Sequence, residues 1–203
     1  MNLPNSLTLT RIFLVPLLVV VLLTKFEGRV ILGISKELVG AAIFAIASVT
    51  DWLDGYLARR REQVTALGQV IDPLADKLLT SAALISLVQM DLAQSWMVAV
   101  IIGREFAVTT LRSLAYARGV AMPASPLGKL KMVSQVVAIL ALILAHGQMW
   151  PFYFIGQAAL WVVVVTALVS GADYFRRFNT ILSPRVADIR VARDQRGSDR
   201  KAG

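Results

Sequence analysis

Four aspartates raise the question of chemistry in this sequence. Asp51, Asp54, Asp72 and Asp76 fall within TDWLDGYLARRREQVTALGQVIDPLADKLL, residues 50–79, a stretch that otherwise reads as apolar helix. Asp51 and Asp54 are three apart and Asp72 and Asp76 four apart, so each pair lies on one face of a helix. Four carboxylates held close together repel, and some stay protonated unless a cation neutralises them. All-oxygen ligands favour hard cations, magnesium or manganese ahead of calcium. Two pairs fit two ions that share ligands, an arrangement suited to phosphoryl chemistry.

The elements that must position these groups follow from composition. Of 203 residues, 57% are apolar, and the mean hydropathy is +0.66. That is a membrane composition, beyond what a soluble core of this length needs. Spans of roughly 20 apolar residues cross a bilayer, and six candidates appear, at about 7–24, 38–59, 68–90, 95–117, 128–147 and 152–173. Open backbone cannot face lipid, so the spans are expected as helices. The expectation is an all-α integral membrane protein with six transmembrane helices. Residues 1–175 form the catalytic domain and 176–203 a basic cytoplasmic tail. The apolar run after Arg11 is too long for a cleaved signal peptide and reads as a retained first span.

Charge sets the orientation. Arg59, Arg60 and Arg61 follow the second span, Arg118, Lys129 and Lys131 lie between the fourth and fifth, and the tail is rich in arginine. The positive-inside rule then puts both termini in the cytoplasm, as an even number of spans requires. A formal net charge of +8 in so apolar a chain points to anionic membrane lipids and not to nucleic acid. There is no cysteine, which excludes disulfides, thiolate metal sites and cysteine nucleophiles.

With the second span running toward the cytoplasm and the third away from it, the four aspartates meet just below the cytoplasmic interface. The bland reading is a set of solvated or Arg-paired carboxylates at helix ends. Against it, carboxylates within a membrane are functional by default. Gly55 directly follows Asp54, and Gly68 lies one helical turn before Asp72. Glycines there serve close helix packing, or equally the approach of a phosphate or ribose to bare backbone. Ala58 is small on the face of Gly55, and Arg59 can meet a phosphate at the rim.

The pattern Asp51-x2-Asp54-Gly55-x2-Ala58-Arg59-x8-Gly68-x3-Asp72-x3-Asp76 resembles the complete signature of the CDP-alcohol phosphatidyltransferases. The stretches LPNSLTLTRIFLVP, VTDWLDGYLARR, IGREFAVTTLR and SPLGKLKMVSQ are similar to the glycerol-phosphate-accepting bacterial branch of that family, from about residue 2 to 175. The resemblance implies phosphatidyl transfer from CDP-diacylglycerol to sn-glycerol 3-phosphate with release of CMP. It also implies six helices in the bacterial inner membrane, a cytoplasmic active site, a homodimer and two divalent cations. Asp51, Asp54, Asp72 and Asp76 match the family's metal ligands, and Asp76 also its general base. Asp54, Gly55, Ala58, Arg59 and Gly68 match the part that holds CDP.

Elimination agrees with a carboxylate base. The one histidine, His146, falls at the far end of the fifth span, and geometry comes first for any base. For the acceptor phosphate the candidates are Arg104, Arg112, Arg118, Lys129 and Lys131, arginine suiting bidentate contact and lysine a point charge. Snorkelling anchors are the competing reading of Arg118, Lys129 and Lys131, and a buried ion pair that of Arg104 and Glu105. Glu105 and Arg112 share a helical face and could line one cavity. Asn5, Thr8 and Arg11 match the family's N-terminal stretch and could close over the nucleotide, while a helix cap serves Asn5 as well. Trp96 and Trp150 read as interfacial belt residues.

Three other readings compete. A cation transporter would use the aspartates as its ion site, but such sites lie near the midplane at repeat interfaces, and no internal repeat is visible here. A same-family transferase could take serine or inositol phosphate, since the signature concerns the CDP part. A scaffold for anionic lipid would explain the tail but not the aspartates.

Overall fold

A computed structural model describes the backbone of residues 3–24, 30–31, 34–61, 66–117, 126–147 and 150–182. Side chains are described for 10–24, 34–50, 75, 77–116, 128, 130–147 and 151–176. Six helices run α1 Leu3–Leu23, α2 Lys36–Arg61, α3 Ala66–Gln89, α4 Ser95–Ala117, α5 Pro126–His146 and α6 Trp150–Leu182. Each expected span has its helix, with ends displaced by a few residues. Helix α1 continues through Pro16.

Two features depart from the expectation. The α1–α2 link forms a minimal antiparallel hairpin, β1 Val30–Ile31 with β2 Ile34–Ser35, pairing Val30 with Ser35 and Ile31 with Ile34. Two residues per strand carry no readable alternation, so the pattern of apolar residues could not announce it. Helix α6 also runs past residue 175 to Leu182, into the segment read as tail. Nothing breaks it before Pro184, whose ring disfavours helix in the preceding residue.

Several contacts define the direction of each helix. Lys36 at the start of α2 donates to the carbonyls of Leu22 and Thr24 at the end of α1, at 3.1 and 3.3 Å. Glu37 in the first turn of α2 faces His146 in the last turn of α5. Gln157 near the start of α6 donates to the carbonyl of Leu92, between α3 and α4, at 2.7 Å. Trp96 at the start of α4 meets Trp161 of α6 edge to face. One end of the bundle therefore gathers the ends of α1, α3 and α5 and the starts of α2, α4 and α6. The α2–α3 link lies at the other end, and the helices alternate in direction.

The largest buried cluster is apolar: Leu18 and Leu22 of α1, Phe44 of α2, Leu84 and Leu87 of α3, Ile101 of α4, Ile139 and Leu142 of α5 and Val163 of α6. Helices α5 and α6 share the longest contact, α1 packs on α2 and α3, and α4 lies on α6. Close approach has identifiable causes. A Cβ on Gly156 would come within 2.6 Å of Leu142 Cγ and 3.1 Å of its backbone nitrogen, and one on Gly40 within 2.6 Å of Leu22 Cδ2. Small residues at such crossings are the usual device of helices that cannot rely on a hydrophobic drive between them.

The outside is apolar as well. Phe13, Ile46, Val133, Leu168 and Phe175 are all more than half exposed. Helices that are apolar on every side belong in lipid. Within α6, Pro151–Arg176 is long and apolar enough to cross a bilayer on its own, and Thr10–Leu23, Lys77–Gln89 and Leu130–His146 are shorter apolar stretches. Helix α3 stops without a glycine: Asp91 takes φ 56°, and Leu92 N–H closes on the carbonyl of Leu87 at 2.9 Å. Aspartate is among the few residues that tolerate this left-handed stop.

Candidate active site

The aspartate signature spans the α2–α3 turn. Asp51, Asp54, Gly55, Ala58 and Arg59 stand in the last turns of α2, and Gly68, Asp72 and Asp76 in the first turns of α3. Their side chains lie outside the described residues. Asp54 is seven residues before the end of α2 and Asp72 six residues after the start of α3, or roughly 10 and 9 Å of helix rise. The antiparallel run of the two helices thus brings these backbone positions to one level.

The donor set fits hard divalent cations. Four carboxylates on two adjoining helix ends supply only oxygen, without thiolate or imidazole in the same turns. Among the described residues, which exclude these four side chains, no group of three or more His, Cys, Asp or Glu side chains gathers.

The expected phosphate-binding residues divide. Lys131 of α5 is buried, 1% exposed, and forms an ion pair with Glu105 of α4. Arg104, the neighbour of Glu105 on α4, approaches the same carboxylate at 3.7 Å. Its Nη2 donates to Ser170 Oγ of α6 at 2.8 Å, and its Cζ stands 6.0 Å from the ring centre of Tyr174, at the outer limit of a cation–π contact. Arg104 and Glu105 of α4 and Lys131 of α5 are thereby brought together, with Ser170 and Tyr174 of α6 beside Arg104, and the pairing read for Arg104 and Glu105 includes Lys131. Arg112 is exposed, two turns beyond Glu105. Arg118 and the side chain of Lys129 lie outside the described residues.

Arg11 of α1 is buried, 3% exposed. Asn5 and Thr8 are on the same helix, with side chains outside the described residues. His146 is at the end of the bundle away from the aspartates, half-buried, with Nε2 4.0 Å from Glu37 Oε1. Trp96 has a stacking partner in Trp161, and Trp150 is described only as backbone.

Sequence reasoning missed Ser170 and Tyr174. Both are buried and four apart on α6, so they share a face. A serine and a tyrosine so spaced in an apolar span were the available signal.

The sequence profile of the CDP-alcohol phosphatidyltransferase family matches residues 1–169. The chain belongs to that family. It is 48% identical over 185 residues to the CDP-diacylglycerol–glycerol-3-phosphate 3-phosphatidyltransferase of Bacillus subtilis, covering 87% of this chain and 94% of that one. It is 36% identical over 181 residues to the like-named protein of Rickettsia typhi, covering 88% and 98%. It is 35% identical over 183 residues to that of Pseudomonas fluorescens, covering 87% and 89%. Family membership and the apolar exterior make the chain a membrane enzyme.

Proposed function

We infer that this enzyme transfers a phosphatidyl group from CDP-diacylglycerol to sn-glycerol 3-phosphate, giving phosphatidylglycerol phosphate and CMP. The observation that carries the reading is the 48% identity to the Bacillus subtilis transferase across 94% of that protein. The complete aspartate signature supports it.

In the reaction, a hydroxyl oxygen of the acceptor bonds to the phosphorus that carries the diacylglycerol. The bond from that phosphorus to the bridging oxygen breaks, and CMP leaves with the electron pair. Asp76, one turn beyond Asp72 in α3, takes the hydroxyl proton. Asp51, Asp54, Asp72 and Asp76 would hold two divalent cations, magnesium or manganese. Such ions, when bound, neutralise phosphate charge and acidify a hydroxyl. Gly55, Ala58 and Gly68 leave room for the cytidine and ribose beside the backbone, Asp54 and Arg59 hold polar groups of the CDP, and Asn5, Thr8 and Arg11 border it. Arg104, Arg112, Arg118, Lys129 and Lys131 supply the charge that draws the acceptor phosphate.

All six helices span the bacterial inner membrane, with termini and active site in the cytoplasm, following the distribution of lysine and arginine. The protein acts as a homodimer, and its basic tail rests on anionic lipid. The direct test offers purified protein CDP-diacylglycerol with glycerol 3-phosphate, serine and inositol phosphate in parallel. CMP release with glycerol 3-phosphate alone is expected. Release with serine or inositol phosphate in preference would overturn the acceptor assignment.

A further inference from the structure

The α4–α5–α6 network contains a residue to which the sequence pattern assigns no role. Ser170 is buried, 1% exposed, in the middle of a helix. Its hydroxyl hydrogen is committed to its own helix, since Oγ lies 2.5 Å from the carbonyl of Thr166 and 3.3 Å from that of Ala167. A hydroxyl has one hydrogen and two lone pairs. With the hydrogen directed back along α6, Ser170 can meet Arg104 only as an acceptor, and Arg104 Nη2 donates to it at 2.8 Å.

The contact fixes the arginine without exhausting it. A guanidinium carries five N–H donors in a rigid plane. Ser170 takes one. Glu105 stands 3.7 Å from Nη1, close enough for an ion pair but beyond hydrogen-bond length. The buried Nε of Arg104 finds no acceptor among the described residues. Glu105 is meanwhile engaged by Lys131, so in this trio two cations share one carboxylate. Mid-helix charges in a membrane need a counter-charge, and a phosphate dianion suits the donors of Arg104 that remain.

Lys131 also lies toward the end of the bundle that holds the aspartates. Lys131 is five residues into α5, roughly 7–8 Å of rise, and α5 starts at the same end of the bundle as α3. Asp72 is six residues into α3, roughly 9 Å. Lys131 is thus about as far into α5 as Asp72 is into α3, while Arg104, thirteen residues before the end of α4, lies deeper in the bundle.

We propose that Ser170 is a positioning residue for the acceptor: it holds the Arg104 guanidinium, beside the Tyr174 ring and the Glu105–Lys131 pair, so that the free donors face the phosphate of glycerol 3-phosphate. The inference rests on the acceptor named under the proposed function. It requires that the serine hydroxyl, and not merely its volume, sets affinity for the acceptor.

The test compares wild type, Ser170→Ala and Ser170→Thr, measuring CMP release with each substrate varied at saturating levels of the other. Ser170→Ala is expected to raise the KM for glycerol 3-phosphate roughly tenfold, the effect of losing one charge-assisted contact. The KM for CDP-diacylglycerol should stay within about twofold, inside the scatter of such contacts. Ser170→Thr keeps both the hydroxyl and its bond to the preceding turn, and should restore the acceptor KM. Three results would overturn the proposal: an unchanged acceptor KM in Ser170→Ala, equal rises for both substrates, or no rescue by threonine. A wild-type enzyme that ignores glycerol 3-phosphate but accepts serine would instead overturn the acceptor reading, and with it the phosphate role of Arg104.

Discussion

The two ends of the bundle bury charge in different ways. Where α1 ends and α2 begins, Lys36 is 7% exposed and Glu37 2% exposed. Lys36 donates to the carbonyls of Leu22 and Thr24, among the last of the α1 segment, which have no partner within their own helix. Glu37 occupies the first turn of α2 and His146 the last turn of α5, each where the helix dipole favours it. Lys36 is thus answered by a helix terminus, and Glu37 faces His146 at 4.0 Å. Farther along the bundle, Arg104, Glu105 and Lys131 sit within helices, where backbone groups already have partners. Lys131 and Arg104 both approach the Glu105 carboxylate, and the buried Arg104 Nε finds no acceptor among the described residues. A charge at a helix end can be structural at little cost, whereas an open donor on a charge inside a helix calls for a ligand.

The sharpest way to break this contrast is to remove a carboxylate from the aspartate turn. Asp51→Asn and Asp72→Asn should each abolish CMP release and weaken metal binding while membrane insertion is preserved. Stability without metal should hold or rise, because one charge leaves a crowded acidic group. Turnover near that of wild type at ordinary metal concentrations would end the two-cation reading.

Asp76→Asn sharpens the same end by separating proton transfer from binding. Loss of a general base lowers the rate about 10²–10⁴-fold, so kcat should fall by that order while CDP-diacylglycerol binding largely persists. Both must be measured on one preparation at saturating metal. If donor affinity collapses in step with kcat, Asp76 is only a ligand.

A smaller effect is expected in the cationic trio. Lys131→Ala should raise the KM for glycerol 3-phosphate more than that for the donor, by roughly ten- to a hundredfold for a lost charge-assisted contact of about 1.5–3 kcal/mol. Arg112→Ala should act in the same direction. Equal losses for both substrates would move these residues to the donor side or to a structural role.

The smallest catalytic effect should come from the opposite end. Lys36→Met removes the donor that caps α1 and should lower stability by about 1–3 kcal/mol, read as a reduced unfolding midpoint in detergent. Both KM values and the turnover of the folded fraction should match wild type. A selective rise in the acceptor KM would erase the distinction between the two ends.

Much of the fold was legible because its signals are local. Apolar runs long enough to cross a bilayer are read one helix at a time, and the six helices stand where those runs stand. Spacings of three and four place Asp51 with Asp54, and Asp72 with Asp76, by helix geometry alone. The two-residue hairpin was too short for any pattern. The end of α6 at Leu182 was obscured because arginines at 176 and 177 resemble the start of a tail, although arginine is a good helix former.

What the sequence by itself determined is therefore the set of elements, their alternating apolar and charged ends, and the carboxylate spacing in the α2–α3 turn. Only the tertiary structure decided which polar residues meet across helices. Glu105 pairs with Lys131, Arg104 reaches Ser170 across 66 residues of chain, and Lys36 turns back to cap α1. Helical periodicity places a side chain on a face of its own helix, but these helices are apolar on nearly every face. The choice of neighbour then falls to close packing at positions such as Gly40 and Gly156, and that packing is a property of pairs of helices.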